Sequence, residues 1–98
     1  MSANAFQKLE EIYPEIVNLM EDEFNSHEFI LKLAQKYQKN YVQALIEYAE
    51  NDQPFQSVHS EIAKRLKKRE DLVKHIDSKP SVNIFGLKSE AAIWRKVK

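Results

Sequence analysis

Apolar residues in the first part of the chain recur at steps of three and four positions, the spacing of one buried helix face. The first stripe runs from Phe6 to Phe24 and predicts a helix within residues 1–24. Pro14 interrupts this stripe. Because proline lacks a backbone donor and clashes with the preceding helical turn, we expect a kink or a new helix start there.

Two further helices are predicted between residues 26 and 50. Asn25, followed three positions later by Glu28, resembles a capping box, which predicts a helix from about 27 to 38. Asn40 is suited to begin a third helix. The same stripe also fits one unbroken helix through Lys39 and Asn40, and we favour the break.

A fourth helix follows the polar turn at residues 51–54. Pro54 suits the first turn of a helix, because its missing N–H needs no partner there. Val58, Ile62 and Leu66 then fall on one face, which we expect to be buried. Ser57 is an alternative start for this helix.

The pattern changes beyond residue 69. Residues 72–76 fit a short strand or the tail of the fourth helix, and residues 77–81 are predicted to form a loop. Residues 82–85 are apolar and β-prone, and Gly86 marks a turn. Residues 91–97 fit either a strand or a helix. The resulting fold class is mainly α with a short C-terminal β-hairpin, and the alternative is an all-helical bundle.

Composition narrows the chemistry. The 98 residues suffice for one domain spanning 1–98. The absence of cysteine excludes a disulfide framework, a thiolate metal site and a cysteine nucleophile. A single glycine excludes a glycine-rich phosphate loop. His27, His59 and His75 lack the helical spacing of a metal pair. We therefore expect no metal, no cofactor and no enzymatic activity.

The sequence also predicts the cellular location of the protein, because two kinds of targeting segment are not found in it. No apolar run is long enough to span a membrane, and the N-terminus lacks the basic and apolar regions of a signal peptide. We expect a cytoplasmic protein without membrane contact.

The formal net charge of zero conceals a strong separation of charge. Residues 1–55 carry ten acidic and four basic residues, whereas residues 56–98 carry eleven basic and five acidic ones. The densest basic run covers residues 64–69. Such asymmetry indicates contact with nucleic acid, although a solvated helix face and head-to-tail association of two copies fit it as well.

The order of these elements resembles the winged helix-turn-helix superfamily over about residues 26–98. The resemblance is one of pattern: three helices, the last one basic, then two β-prone segments around a glycine turn. It implies a DNA-binding protein in which the fourth helix of this chain lies in the major groove and the hairpin forms a wing. The N-terminal helix within residues 1–24 is then the element we assign to a homodimer contact.

The resemblance and the distribution of charge assign specific residues to DNA. Short polar side chains near the start of the helix would face bases, and the lysines would meet phosphates. The residues assigned to DNA contact are Ser57, His59, Ser60, Lys64, Lys67, Lys68, Lys79 and Lys88.

The alternative function is a small helical module that binds another protein. Phe85 and Trp94 are its candidate contact residues, because large apolar side chains beside a turn or near a chain end suit an interface. For Trp94 we favour anchoring in the core, and for the segment at residues 82–85 we favour packing against the helices.

Overall fold

The computed structural model describes residues 5–97 and shows a mixed α/β chain. Its elements are α1 (Ala5–Leu19), β1 (Glu23–Asn25), α2 (Ser26–Lys36), α3 (Gln38–Ile46), α4 (Pro54–Lys67), β2 (Val73–Val82) and β3 (Lys88–Lys96). The predicted C-terminal hairpin is present as β2 and β3. The prediction of a mainly α chain with a short hairpin needs correction, because the hairpin strands are long and β1 joins them. The all-helical alternative is wrong for the same reason.

The three strands form one antiparallel sheet in the order β1-β3-β2. In β1, Phe24 pairs with Trp94 of β3. Strand β1 was not predicted, because Phe24 continues the helical spacing of the first stripe although α1 ends at Leu19. A strand of three residues is too short to show an alternating pattern of its own.

The loop predicted at residues 77–81 is instead part of β2, which pairs with β3 from Val73 to Val82. The register shifts between His75 and Asp77, so the strand carries a bulge. Pro80 is tolerated because β2 is an edge strand, where a missing N–H leaves no ladder bond unmade. The strand contains residues that are typical of turns, and this is why the prediction of a loop was wrong.

Every helix and strand contributes to a single hydrophobic core. Its most deeply buried large side chains are Leu9, Tyr13, Ile16, Phe29, Leu33, Val58, Ile62 and Leu66. In α1 the buried residues are the predicted apolar stripe, and they pack inside this core. The apolar face of α1 is therefore covered within the same chain, and the homodimer contact assigned to this helix stays a prediction that concerns its outer face.

The starts of α2 and α4 follow the local sequence, whereas the start of α3 does not. Asn25 accepts a hydrogen bond from the Glu28 backbone N–H, and the Glu28 carboxylate accepts one from the Asn25 N–H, which completes the capping box. The predicted break between α2 and α3 falls at Tyr37, whose backbone leaves helical geometry, rather than at residues 39–40. Helix α4 begins at Pro54 as predicted.

Helix α1 continues through Pro14 without a new start. Proline lacks the N–H that would bond to the carbonyl four residues earlier, and that carbonyl belongs to Glu10. The Arg69 guanidinium donates to the Glu10 carbonyl oxygen over 3.4 Å, which supplies a substitute partner. The new helix start that was one of the two expectations for Pro14 is therefore absent, and the carbonyl that the proline leaves without a helix partner is contacted by Arg69, just after α4.

A buried hydrogen bond also joins α1 to α4. The Tyr13 hydroxyl donates to the backbone carbonyl of Ile62 over 2.9 Å, and Tyr13 is fully buried. Burial raises the pKa of Tyr13 well above its ordinary value, because the phenolate would be poorly solvated there. The hydroxyl therefore remains protonated and serves as a donor.

Replacing Tyr13 by phenylalanine is expected to lower the free energy of unfolding by about 1 kcal/mol, because this hydrogen bond is lost while the ring still fills its site. Urea denaturation measures the change. Tyr37→Phe is the matched control, since the Tyr37 hydroxyl donates to Glu15 at the exposed surface. Equal losses in the two variants would contradict a special role for the buried bond.

Candidate nucleic-acid interface

Helix α4 presents one polar ridge to solvent. Val58, Ile62 and Leu66 bury the inner face of the helix. On the outer face, at steps of four, four and three residues, lie the exposed side chains of Gln56, Ser60, Lys64 and Lys67. We call these four residues the α4 ridge. Its polar end lies near the helix start and its cationic end near the helix finish.

The basic run at residues 64–69 has two different roles. Arg65 forms ion pairs with Glu10 and Glu61 at 2.7 and 2.8 Å, and Arg69 pairs with Asp71 at 3.0 Å. These arginines hold α4 and the chain after it in place. The three lysines of the run, Lys64, Lys67 and Lys68, are exposed, and none forms an ion pair within residues 5–97. Their charges are available to an outside anion.

The hairpin ends in a tightly bonded loop at residues 83–87. The Asn83 side-chain oxygen accepts hydrogen bonds from the backbone N–H groups of Phe85 and Leu87. The Asn83 N–H also donates to the Leu87 carbonyl over 2.7 Å. Gly86 has a φ of 83°, which glycine adopts without steric cost. The tip therefore has one defined shape.

This hairpin tip rests against the first turns of α4. The Phe85 ring contacts Phe55 edge-to-face with centroids 4.9 Å apart, and it stacks on His59 at 5.9 Å. A groove of about 640 Å³ lies between the tip and α4, with Gln56 and Ser60 on its helix side. Both residues also line a second groove on the other flank of α4. The α4 ridge thus stands between two depressions.

His59 does not face outward as a base contact should, which corrects its assignment to DNA. Its Nε2 lies 2.6 Å from the Tyr41 hydroxyl, and its ring is sandwiched between Tyr41 and Phe85. Burial, with a smaller contribution from His27, lowers the pKa of His59 to about 4. The imidazole is therefore neutral near pH 7 and joins α3, α4 and the hairpin tip.

The depressed pKa of His59 makes the stability pH-dependent. In the unfolded chain the histidine binds a proton below about pH 6.5, whereas in the folded chain His59 binds one only below about pH 4. The free energy of unfolding therefore falls as the pH drops from about 6.5 to about 4. Between pH 7 and 4.5 this titration should lower the free energy of unfolding by about 1–2 kcal/mol, a value reduced for the partial exposure of His59. We expect His59→Gln to lack this loss. Urea denaturation of both proteins at the two pH values measures the difference. Identical pH dependence in the two proteins would contradict this role.

The remaining predicted residues lie in three settings. Ser60 is exposed on the α4 ridge, whereas Ser57 is half-buried and lines the second groove. Lys88 is exposed at the start of β3 and lines the first groove. Lys79 is exposed on β2, with its ammonium 4.0 Å from the Asp77 carboxylate, a distance that leaves it largely available. Ser60 lines both grooves, whereas Lys64 lines only the second groove and Lys88 only the first.

The two residues of the alternative interface are separated by the structure. Trp94 is 2% exposed, and its indole N–H donates to the Ser26 hydroxyl over 2.9 Å. It is a core residue and has no surface to offer a partner, which corrects its place in that interface. Phe85 remains 52% exposed although it touches α4.

Sequence reasoning missed two residues of this surface. Gln56 lies on the α4 ridge four positions before Ser60, and that spacing was the available signal. Leu87 is 65% exposed at the hairpin tip, and nothing in the sequence distinguishes it from a core leucine. Its exposure follows from the hydrogen bonds of Asn83, which shape the loop.

Two features of residues 5–97 concern metal-binding clusters and membrane-spanning helices. Within residues 5–97, no three histidine, aspartate or glutamate side chains are grouped so as to hold a metal ion. None of the four helices is long and apolar enough to cross a membrane.

The comparisons with known proteins add no relative. No protein-family model, no curated protein and no solved structure matches this chain. Its function has to be argued from its own surface.

Proposed function

We propose that the chain is a non-enzymatic DNA-binding protein of the winged-helix type. The observation that carries the proposal is the α4 ridge, whose cationic end is left unpaired by the arginines beside it, next to a rigid hairpin tip with Lys88. A single helix fits the major groove of DNA, and a ridge flanked by depressions leaves room for the walls of that groove.

The topology supports the proposal. A hairpin follows α4 directly, as the wing follows the recognition helix in the resemblance described above. The first strand of the sheet lies between α1 and α2 and pairs with the last strand, which ties the hairpin to the helices. The tip is thereby held beside the first turns of α4, so the helix and the wing form one surface.

The residues of the α4 ridge, together with Lys68 just after α4, have two roles: some contact bases and the others contact phosphates. Gln56 can donate to and accept from an adenine edge in the major groove, and Ser60 can bond to any base. Lys64, Lys67 and Lys68 provide charge for phosphates, which gives affinity without sequence preference. The wing lysines, Lys79 and Lys88, add two contacts of the same kind.

Fluorescence anisotropy with a labelled random duplex tests the proposal. We expect micromolar or tighter binding at about 50 mM salt, because five lysine contacts release about five counterions. The slope of log K against log salt should be about −4 to −5. Absence of binding at about 50 mM salt would refute the proposal.

A second candidate, a protein-interaction module, is supported by the exposed apolar side chains around the tip. Phe55, Val82, Phe85 and Leu87 are 43–65% exposed and lie on or beside the hairpin tip. This candidate predicts no binding of duplex DNA. Where the partner is a second copy of the chain, it also predicts self-association in sedimentation equilibrium. Leu87→Ser would then restore the monomer, because an apolar contact is removed.

A further inference from the structure

The hairpin tip at residues 83–87 is attached to the helices through apolar contacts. Phe85 contacts Phe55 and His59 of α4, and Ile84 is partly buried against the hydrophobic core. Within residues 5–97, the hydrogen bonds of the tip all lie inside the tip itself, around Asn83. The tip can therefore separate from α4 as one unit without breaking a hydrogen bond to a helix.

The base of the tip is fixed to the start of α2 by two polar contacts. The Asn25 side-chain N–H donates to the Ser81 hydroxyl over 3.1 Å, and the Ser89 hydroxyl lies 3.5 Å from Nε2 of His27. Ser81 and Ser89 are paired with each other across the hairpin. The hairpin is thus held at this pair, which makes the pair a hinge for the tip beyond it.

His59 is the centre of the contact between the tip and α4. Its ring lies between Tyr41 of α3 and Phe85 of the tip, with ring centroids 5.8 and 5.9 Å away and planes inclined by 29° and 16°. Phe85 nevertheless remains 52% exposed. An aromatic pair contributes only modestly beyond the area that it buries. A change in the charge of His59 is therefore large compared with the contact that holds the tip.

The environment of His59 opposes a positive charge on its ring. The titratable and charged groups around it are Tyr41 on α3, His27 on α2, Asp52 before α4, and Lys88 and Glu90 on β3. Burial, and to a smaller degree His27, lowers the pKa of His59 to about 4, so the two carboxylates do not offset the burial. Once the tip is raised, water reaches the ring and the pKa returns towards its ordinary value of 6.5.

We propose that the hairpin tip is a lid over the first groove beside α4, and that the stacked rings of Tyr41, His59 and Phe85 are its latch, which acid releases. The open form binds a proton on His59 more tightly than the closed form, so a falling pH shifts the equilibrium towards the open form. Opening exposes the apolar lining of the groove at Phe55 and Ala63. The latch belongs to the fold itself and does not depend on DNA binding.

The size of the effect follows from the two protonation equilibria. Between pH 7 and 4.5 the ratio of open to closed tip should rise about tenfold. This is less than the full difference between pKa values of about 4 and 6.5 would give, because His59 is already partly exposed when the tip is closed.

The distance between two spin labels tests the latch. The chain contains no cysteine, so Leu87→Cys on the tip and Lys36→Cys at the end of α2 are labelled selectively. Both positions are exposed. The longest extent of the molecule is 35 Å, which suits pulsed electron resonance. Distance distributions are recorded at pH 7 and 4.5, and far-ultraviolet circular dichroism and urea denaturation at both pH values verify that the chain stays folded.

Two variants of the labelled chain separate the proton from the ring contact. His59→Phe keeps a ring in the stack but cannot be protonated, and we expect its tip to stay closed at both pH values. Phe85→Ala removes the ring of the tip, and we expect its tip to be open already at pH 7. In Phe85→Ala without labels, titration followed by nuclear magnetic resonance should show the pKa of His59 raised from about 4 towards 6.5.

In the labelled chain with His59 and Phe85 intact, we expect a second distance whose population is about tenfold larger at pH 4.5 than at pH 7. The same distribution at both pH values overturns the latch. An equal response of His59→Phe to pH also overturns it and assigns the response to carboxylates such as Asp52 and Glu90. A closed tip in Phe85→Ala, or a new distance that appears only with loss of the folded circular dichroism signal, contradicts it as well.

Discussion

Replacing Lys64, Lys67 and Lys68 together by glutamate lowers the affinity for duplex DNA at least about a hundredfold at about 50 mM salt. The three lysines are exposed and have no ion-pair partner within residues 5–97. Each phosphate contact that is lost reduces the salt slope by about 1, so the slope should fall from about −4 or −5 to about −1 or −2. Salt-titrated anisotropy measures both quantities.

The matched control replaces three other lysines, which lie away from the α4 ridge, by glutamate. Lys8, Lys36 and Lys39 are exposed on α1, α2 and α3, and none lines either groove beside α4. Their triple replacement by glutamate alters the net charge equally. We expect at most a few-fold loss of affinity, because distant exposed charges are largely screened beyond a Debye length. Equal losses in the two triple variants would show that net charge, rather than the α4 ridge, governs binding.

Folding should remain intact in both triple variants. The arginines that bind α4 to its surroundings, Arg65 and Arg69, are unchanged in both. Circular dichroism and thermal unfolding verify this. The distinction between structural arginines and available lysines within one basic run is therefore directly testable.

Trp94→Ala is the second variant with a large expected effect, a loss of about 3–5 kcal/mol in the free energy of unfolding. Trp94 is almost wholly buried, pairs with Phe24 across the sheet and donates a hydrogen bond to Ser26 at the start of α2. Small domains are stable by only about 5–15 kcal/mol, so much of the stability is removed. Urea denaturation and thermal unfolding measure the loss.

Two controls separate the contributions of the ring and the hydrogen bond. Trp94→Phe retains an aromatic ring in the core but loses the indole donor and part of the volume. Ser26→Ala removes only the acceptor, at a cost of about 1–3 kcal/mol for the indole N–H left buried without a partner. A drop of only a few degrees in melting temperature for Trp94→Ala would contradict the assignment of Trp94 to the core and would favour its role as a surface contact residue.

The parts of the fold that sequence reasoning predicted are those determined by local chemistry. The capping box at Asn25 and Glu28 and the proline at the start of α4 act over one helical turn, and their helices begin where expected. The apolar stripes of α1 and α4 are buried as predicted. Such features depend little on contacts with residues that are distant in the sequence.

The failures involve contacts between residues far apart in sequence. Strand β1 exists because β3 is there to pair with it, and Pro80 lies in β2 because the edge of the sheet tolerates proline. One partner of Arg65 is Glu10, 55 positions away, and the sequence does not show this contact. The partners Glu61 of Arg65 and Asp71 of Arg69 lie within four positions, and this spacing was the available signal for dividing the basic run. His59 was assigned to DNA because it follows Ser57 near the helix start, but Tyr41 and Phe85 enclose it.

The bulged and proline-containing edge strand has a consequence for the behaviour of the chain in concentrated solution. An exposed edge invites another chain to extend the sheet, which is a route to aggregation. In β2, the irregular register at His75 and Asp77, the missing donor of Pro80 and the charges of Lys74 and Lys79 all oppose such addition. The features that obscured this strand in the sequence are thus the ones that keep its edge from recruiting other copies.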